Sequence, residues 1–402
     1  GLAPYGEPRH VQGIYDHLID LKPDGSFRLN MAYFDFATGF TMTNDRFHRL
    51  FGRPPRVPES PLTELDMDLA ASIQAVTEEV IFRIARYAKE ETGAEYLCLA
   101  GGVALNCVAN GKLLKSGLYK DIWVQPACGD AGGALGAALY AWYQYGGRER
   151  RVDPAAFDAQ KGSLLGPGFS NSEIERWLKA NGVAYARCES ESALLDEVSS
   201  LLADGKVVGW FCGRMEFGPR SLGNRSILGD SRRPEMQSVM NLKIKFRESF
   251  RPFAPSVLEE RASEYFEIDR PSPYMLFTFP VAAAHREAVP ADLRGLERLK
   301  ASRSSIPAVT HVDYSARIQT VNEAVNGRYY RLIKRFAEKT GCPMVINTSF
   351  NVRGEPIVCT PEDAFRCFMH TGIDYLVLED CIIDRGNQRD FPPLPKPSLE
   401  LD

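Results

Sequence analysis

Twice between residues 66 and 145 an apolar strand runs into a glycine turn and out into a helix, a pattern that narrows the possible folds more than any other part of the chain. Leu69, Ile73, Val76, Val80, Ile84 and Tyr87 recur at steps of three and four, which predicts an amphipathic helix over residues 66–92. Asp66 and Asp68 favour its N-terminal dipole, and Gly93 supplies a C-terminal cap. Residues 96–100 read as a short apolar strand ending in Gly101-Gly102. A second strand at residues 122–125 ends in Pro126-Ala127-Cys128-Gly129-Asp130, and a helix of small residues follows from Ala131 to Tyr145. Alternating strands and helices with glycines at the turns predict an α/β domain that holds ligands at its strand ends.

A chain of 402 residues exceeds one ordinary core, so a second domain is expected. Residues 145–168 turn polar and glycine-rich around Arg148-Glu149-Arg150-Arg151, which reads as a linker. Beyond it, Ser170 and Glu173 fit a capping box, and residues 206–211 read as a buried strand. Tyr329, Leu332, Ile333 and Phe336 form a helical stripe that leads to a strand at 344–346. Thr360-Pro361-Glu362-Asp363 starts another helix, residues 375–378 read as the last core strand, and a proline-rich tail begins at Pro392. Hydrophobic residues at 44% and charged residues at 25% are those of a soluble globular protein, and no apolar run approaches a membrane span. The net charge of −4 argues against a broad nucleic-acid surface, so anionic ligands must be met by local basic clusters. Nine scattered cysteines, none two residues from another, point to a reducing cytoplasmic setting rather than to zinc or disulfides.

Several segments carry candidate chemistry. Gly101 and Gly102 let the backbone approach a phosphate at a helix N-terminus, and the Asn106 amide can bond a ribose or phosphate oxygen. Asp130, set between Gly129 and Gly132, either caps the small-residue helix or holds a metal ion against a bound phosphate. The stretch from Gly213 to Ile227 places Arg214, Arg220 and Arg225 in a loop whose glycines and proline forbid a helix. Arginine forks match phosphate and carboxylate oxygens. Lys243, Lys245 and Arg247 alternate, which predicts one basic strand face, followed by Arg251. An exposed basic strand edge is the plainer reading of that face. Asn347-Thr348-Ser349-Phe350-Asn351 closes a buried strand with polar groups, and Arg353 follows. Thr310, His311, Asp313, Arg317 and Gln319 form a further polar patch.

Together the segments GLAPYGEP, DLAASIQAVTEE, CLAGGVALNCVANGK, GDAGGALGAA, GRMEFGPRSLGNRSIL, KFRESFRPFAPSV, HVDYSARIQTV and INTSFNVRGEPIV resemble the NodU-type O-carbamoyltransferases of nodulation-factor and antibiotic biosynthesis. They keep their order over residues 1 to about 380. The resemblance implies part of a sugar-kinase/actin-like (ASKHA) domain over residues 1–150, a linker at 151–165, a YrdC-like α/β domain at 166–390 and a tail at 391–402. It implies that the YrdC-like domain makes carbamoyl-adenylate from carbamoyl phosphate and ATP with Mg2+. The first domain then passes the carbamoyl group to a hydroxyl of a small-molecule acceptor, assisted by Fe2+. Arg220, Lys245, Arg251, Asn347 and Ser349 match the carbamoyl-phosphate and ATP site. Gly101, Gly102, Asn106 and Gly129 match the adenylate site of the first domain, and Asp130 matches an aspartate iron ligand. Arg225, Arg247, Arg317 and Arg353 join these as anion-binding candidates from their positions in the basic segments.

The sequence departs from that pattern in two places. The family's other iron ligands are two histidines four apart, upstream of the Gly-Leu-Ala-Pro segment. His10, His17, His48, His285, His311 and His370 include no such pair, so the first domain is read as N-terminally incomplete. Tyr314-Ser315 stands where glycine and a small hydroxyl residue are expected. Two other readings of the same motifs are threonylcarbamoyl transfer in tRNA modification, which the acidic balance disfavours, and a nucleotide-sensing module, which leaves the basic clusters unexplained.

Overall fold

The computed structural model describes residues 1–57, 60–153, 155, 158–290, 292–389 and 391–392. Most of the tail expected from Pro392 onward lies outside the described residues. The protein is a mixed α/β molecule that divides into two compact units. One comprises Gly1–Leu97, Lys112–Ile122 and Pro290–Ala301, the other Cys98–Gly111, Trp123–Val289 and Ser302–Asp402. Among the described residues no helix is long and apolar enough to cross a membrane.

The first unit is organised by helix α1 (Glu64–Thr92). Thr63 and Asp66 close a capping box at its start, and Gly93 ends it at φ 62°, a left-handed cap that glycine adopts without strain. The buried face is not the long apolar stripe. Val76 is buried, but Ile73, Ile84 and Tyr87 are exposed, and the other buried positions are Asp68, Ala71, Ser72 and Ala85. Small groups at these positions let other backbone lie close. A Cβ on Gly6 would sit 2.2 Å from the Met67 carbonyl carbon. Asp68 accepts the Glu7 N–H at 2.7 Å and an Arg9 N–H at 3.0 Å, and Ser72 Oγ accepts the His10 N–H at 3.0 Å. Ile14, Leu18, Ile19 and Val76 form the core beneath.

Strand β1 (Tyr96–Leu99), helix α2 (Cys107–Lys115), strand β2 (Asp121–Val124) and helix α3 (Ala131–Tyr140) follow in the expected order, with β1 and β2 paired. A π turn, Ala141–Tyr145, carries α3 to its expected end. No residue of α3 is buried, although the helix is almost wholly apolar.

The second unit contains an eight-stranded sheet. After α4 (Asn171–Ala180) come β3 (Ala186–Arg187), α5 (Glu191–Ala203), β4 (Val208–Phe211), β5 (Arg225–Gly229), β6 (Ala254–Leu258), β7 (Gln319–Val321), α6 (Gly327–Thr340), β8 (Met344–Ser349), α7 (Pro361–His370), β9 (Tyr375–Leu378) and β10 (Cys381–Asp384). The spatial order is β7-β6-β8-β5-β4-β9-β10-β3. β6/β7 and β4/β9 are parallel pairs, and the remaining neighbours are antiparallel. The capping boxes Ser170/Glu173 and Thr360/Asp363 form as their spacing predicts. Tyr329, Leu332, Ile333 and Phe336 bury the inner face of α6, which packs on α5.

Two expectations are corrected here. Residues 243–247 are not a strand. A helical turn, Met236–Val239, runs into a π turn, Met240–Ile244. Met240, Asn241, Ile244 and Lys245 turn inward while Leu242 and Lys243 face solvent, a near-four spacing that the alternating lysines conceal. Nor is β9 the last strand, because β10 returns beside it through Glu379-Asp380. Glu379 takes φ 49° without being glycine, so the turn gave no local signal. It is held from outside, where one Glu379 oxygen accepts the Gly213 N–H at 2.6 Å and the other an Arg328 N–H at 2.7 Å.

Candidate functional site

Five polar segments meet at one end of this sheet: the exits of β4 and β8, the entries of β5 and β6, and the entry of β7. Between β4 and β5 the 213–225 loop crosses that end without regular structure, and its own side chains shape it. Arg225, wholly buried, donates to the carbonyls of Gly213 at 3.0 Å, Asn224 at 2.9 Å and Pro167 at 3.1 Å, and its guanidinium lies 3.5 Å from the Phe211 ring centroid. These bonds make Arg225 a brace for backbone, and its Nε is left without a partner among the described residues. Glu216 does the same with opposite polarity, as Oε1 accepts the N–H groups of Leu222 at 2.6 Å and Asn224 at 2.8 Å. Gly223 takes φ 106°, and a Cβ there would lie 2.1 Å from the Tyr329 ring, so only glycine lets the loop settle on α6. The segment read as a linker is bound in as well. Phe217 N–H donates to the Ser163 carbonyl at 2.7 Å, Gly166 N–H to the Met215 carbonyl at 2.8 Å, and Met215 N–H to the Pro167 carbonyl at 2.9 Å.

Arg220, at the turn of this loop, is left half-buried beside other cations. Burial and then the charge of Arg317 push its pKa down to about 10. Burial, then Arg251 and Arg317, push Arg247 down to about 10 as well. Burial and then Arg247 push Lys245 to about 7. These five side chains share one field, opposed locally by Glu248, whose carboxylate lies 3.2 Å from Arg251. Like charges held together in a chain of net charge −4 are costly unless an anion joins them. The folded backbone holds Lys245 in place. Its ammonium donates to the Ser349 carbonyl, Ser349 Oγ at 3.2 Å, the Asn351 carbonyl at 2.9 Å and Asn351 Oδ1 at 2.8 Å.

Asn347, one residue pair back along β8, is buried and donates to Ser256 Oγ at 3.0 Å, Gln319 Oε1 at 2.9 Å and the Ser221 carbonyl at 3.2 Å. Among the described residues its Oδ1 has no partner, and neither do Ser221 Oγ and Arg220 Nε. Three unsatisfied buried polar atoms, next to a cluster of cations, make a site suited to an anion that also carries polar hydrogens.

The two glycine turns belong to the same unit and approach Arg220. Gly101 N–H donates to the Cys128 carbonyl at 2.7 Å, which ties one turn to the other. Cys107 and Cys128 lie within electrostatic range of Arg220, and a Cβ on Gly218 would lie 3.1 Å from the Pro126 carbonyl oxygen. Gly102 opens a short 3-10 turn, and Asn106 Oδ1 accepts the Ala109 N–H at 3.2 Å as a cap of α2. Thus Gly101, Gly102, Asn106 and Gly129 stand near the arginine loop.

Asp130 is different. It is exposed at the start of α3 and makes no side-chain cap bond, so the capping role is not taken up. Among the described residues no group of three or more His, Cys, Asp or Glu side chains is arranged to hold a metal ion. One carboxylate does not fit the ligand set that Fe2+ requires, and the residues present assign no place to Mg2+. No chemical step is derived through either ion. Arg353 lies exposed in the turn after β8. Tyr314 takes φ 62°, so the place where glycine was expected does adopt a glycine-like conformation. Its hydroxyl bonds the Glu287 carbonyl at 3.0 Å and Arg286 lies over its ring. Sequence reasoning gave no role to Glu216, Ser221 or Ser256. Glu216 carried the one available signal, an acidic residue in a basic glycine-rich loop.

The fold is α/β, with a cluster of cationic side chains at one end of the sheet and two glycine turns near the arginine loop. The carbamoyltransferase C-terminal family model matches residues 199–385 and the N-terminal model residues 1–139; the chain belongs to the carbamoyltransferase family. An uncharacterized protein of Synechocystis sp. is 60% identical over 392 residues, covering 96% of this chain and 63% of that protein. Nodulation protein NolNO of Sinorhizobium fredii is 39% identical over 96% of this chain and 52% of its own length. Nodulation protein U of Bradyrhizobium diazoefficiens is 36% identical over 68% of this chain and 42% of its own length. The chain therefore spans between two fifths and two thirds of these relatives. A solved HypF structure in its phosphate- and nucleotide-bound form aligns with half of this chain and 23% of that one at 15% identity and a TM-score of 0.33, a likeness too slight to bear on the site.

Proposed function

We propose that the chain is the catalytic part of an ATP- and carbamoyl-phosphate-dependent O-carbamoyltransferase. The observation that carries this reading is the cluster of cationic side chains Arg220, Arg247, Arg251, Arg317 and Lys245, which lie within electrostatic range of one another, together with the unpaired Asn347 Oδ1 and Ser221 Oγ. Carbamoyl phosphate combines the two features such a pocket selects, a phosphate for the arginines and an amide whose N–H groups can donate to Asn347 and Ser221. In this reading its carbamoyl group ends on AMP. Pyrophosphate leaves ATP, inorganic phosphate leaves carbamoyl phosphate, and water supplies the balance. The arginines stabilise charge on the phosphoryl oxygens, and a closed pocket shields carbamoyl-adenylate from hydrolysis. Ser349 helps hold Lys245 in place, and the turns at Gly101-Gly102 and Gly129 with Asn106 receive the adenylate for transfer to a hydroxyl of a small acceptor. The division into an ASKHA-like first part and a YrdC-like second part belongs to the same proposal. Its support is the family membership, and the nodulation relatives make a small-molecule acceptor the natural class.

The test is pyrophosphate release from ATP in the presence of carbamoyl phosphate. Release that requires both substrates and collapses in Arg220→Ala supports the reading, while normal release from that variant overturns it. A mass-spectrometric screen of hydroxylated metabolites then identifies the acceptor.

A further inference from the structure

Glu216 is the acidic residue at the centre of the basic loop, and it is nearly inaccessible to solvent at 5% exposure. Burial raises its pKa, against the pull of the backbone N–H groups and of Arg225. Oε1 accepts from Leu222 at 2.6 Å, Asn224 at 2.8 Å and Arg225 at 3.3 Å, whereas Oε2 has no partner among the described residues. We propose that Glu216 is a positioning residue of the anion site, whose carboxylate gathers the three N–H groups on the far side of the turn and so fixes Arg220 and Ser221 at its apex. The inference rests on the anion-site reading above.

The other bonds to the loop act on different atoms. Gln319 donates to the Leu222 carbonyl at 2.8 Å, Trp210 to the Gly223 carbonyl at 2.9 Å, and Asn347 to the Ser221 carbonyl at 3.2 Å. Asn326 donates to Asn224 Oδ1 at 2.8 Å. These hold carbonyls and one side chain, and Ser226 Oγ accepts the Gly223 N–H at 3.1 Å, while Glu216 takes the N–H groups of residues 222, 224 and 225. Because its bonds span positions 216 to 225, residues 217–221 are closed into a short turn. A buried carboxylate with one unsatisfied oxygen is expensive to keep. Here it serves a second purpose, since its charge offsets the buried Arg225. Removing Glu216 should therefore loosen Arg220 without touching the ligand.

The experiment measures inorganic phosphate binding to the full chain by calorimetry, together with hydrogen exchange at the Leu222, Asn224 and Arg225 amides. Glu216→Gln keeps an acceptor oxygen on the same stem, and it should bind phosphate within about threefold of wild type with those amides still protected. Glu216→Asp, one methylene shorter, and Glu216→Ala should weaken binding by on the order of tenfold or more and lose that protection, as expected for a misplaced binding group. Val198→Ala, a cavity in the buried face of α5, is the control for general destabilisation and should lower the melting temperature without moving phosphate affinity. Wild-type phosphate affinity in Glu216→Asp, or the same loss in Glu216→Asp as in Val198→Ala, overturns the proposal. If Arg220→Ala itself binds phosphate normally, the anion-site reading has failed instead, and the two failures are told apart.

Discussion

Two glycine-broken turns carry charged residues at strand ends, the 213–225 loop and the turn from Cys128 to Asp130, and they end in opposite conditions. In the first, Arg225 and Glu216 bond backbone groups of the loop, and Arg220 stands within electrostatic range of Arg317. In the second, Asp130 is exposed, caps nothing, and opens a helix with no buried residue. The sequence cue is the same in both. What differs is whether neighbouring strands deliver partner groups: the loop is flanked by Trp210, Gln319, Asn326 and Asn347, and nothing comparable bonds the Asp130 side chain among the described residues.

The contrast can be broken most forcefully at Arg220. Arg220→Ala should lower carbamoyl-phosphate-dependent pyrophosphate formation on the order of 10²–10³-fold, the usual cost of losing one preorganised charge donor. Its effect on urea unfolding should be small. Arg225→Ala, five residues away, should do the reverse and destabilise the fold by about 3 kcal/mol, because buried carbonyls lose their donor and Glu216 loses its counter-charge. If Arg225→Ala unfolds like wild type, the bracing role is wrong.

Lys245 sharpens the comparison through pH. Its native pKa is near 7 against an ordinary 10.5, so between these values the unfolded chain binds the extra proton. The stability contribution of this group therefore rises with pH over that window, at most about 1.4 kcal/mol per pH unit. Unfolding of wild type relative to Lys245→Met should shift in favour of wild type from pH 7 upward. Binding of sulfate, whose own charge is constant there, should weaken over the same range as the ammonium is lost, and Lys245→Met should flatten both trends. The smallest effect is expected at Asp130. Asp130→Asn should change unfolding free energy by less than about 0.5 kcal/mol, as for an exposed residue without a partner. A larger loss would mean that the Asp130 turn is held by its side chain much as the loop is, and the contrast between the two would disappear.

Much of the fold was legible because its signals are local. Ser170/Glu173 and Thr360/Asp363 cap helices within four residues of chain, and Tyr329, Leu332, Ile333 and Phe336 mark a buried face by spacing alone. What remained hidden depends on distant partners. Arg225 and Arg220 look alike in sequence, and only the carbonyls of Gly213 and Pro167 separate them. Lys245 read as one of three alternating lysine and arginine residues on a strand, yet acceptors from Ser349 and Asn351, a hundred residues on, bury it at the end of a π turn. Glu379 turns β9 into β10 in a conformation stabilised by Arg328 rather than by its own residue type.

The indole of Trp210 donates to Gly223 inside the 213–225 loop and is fully buried, whereas Trp123 and Trp142 are exposed and Trp177 is half-covered. The chain has four tryptophans, so the emission that survives acrylamide quenching comes chiefly from the one that touches the arginine loop. Any ligand that tightens or loosens that loop acts on a fluorophore already in place, and the protein carries its own optical gauge of occupancy.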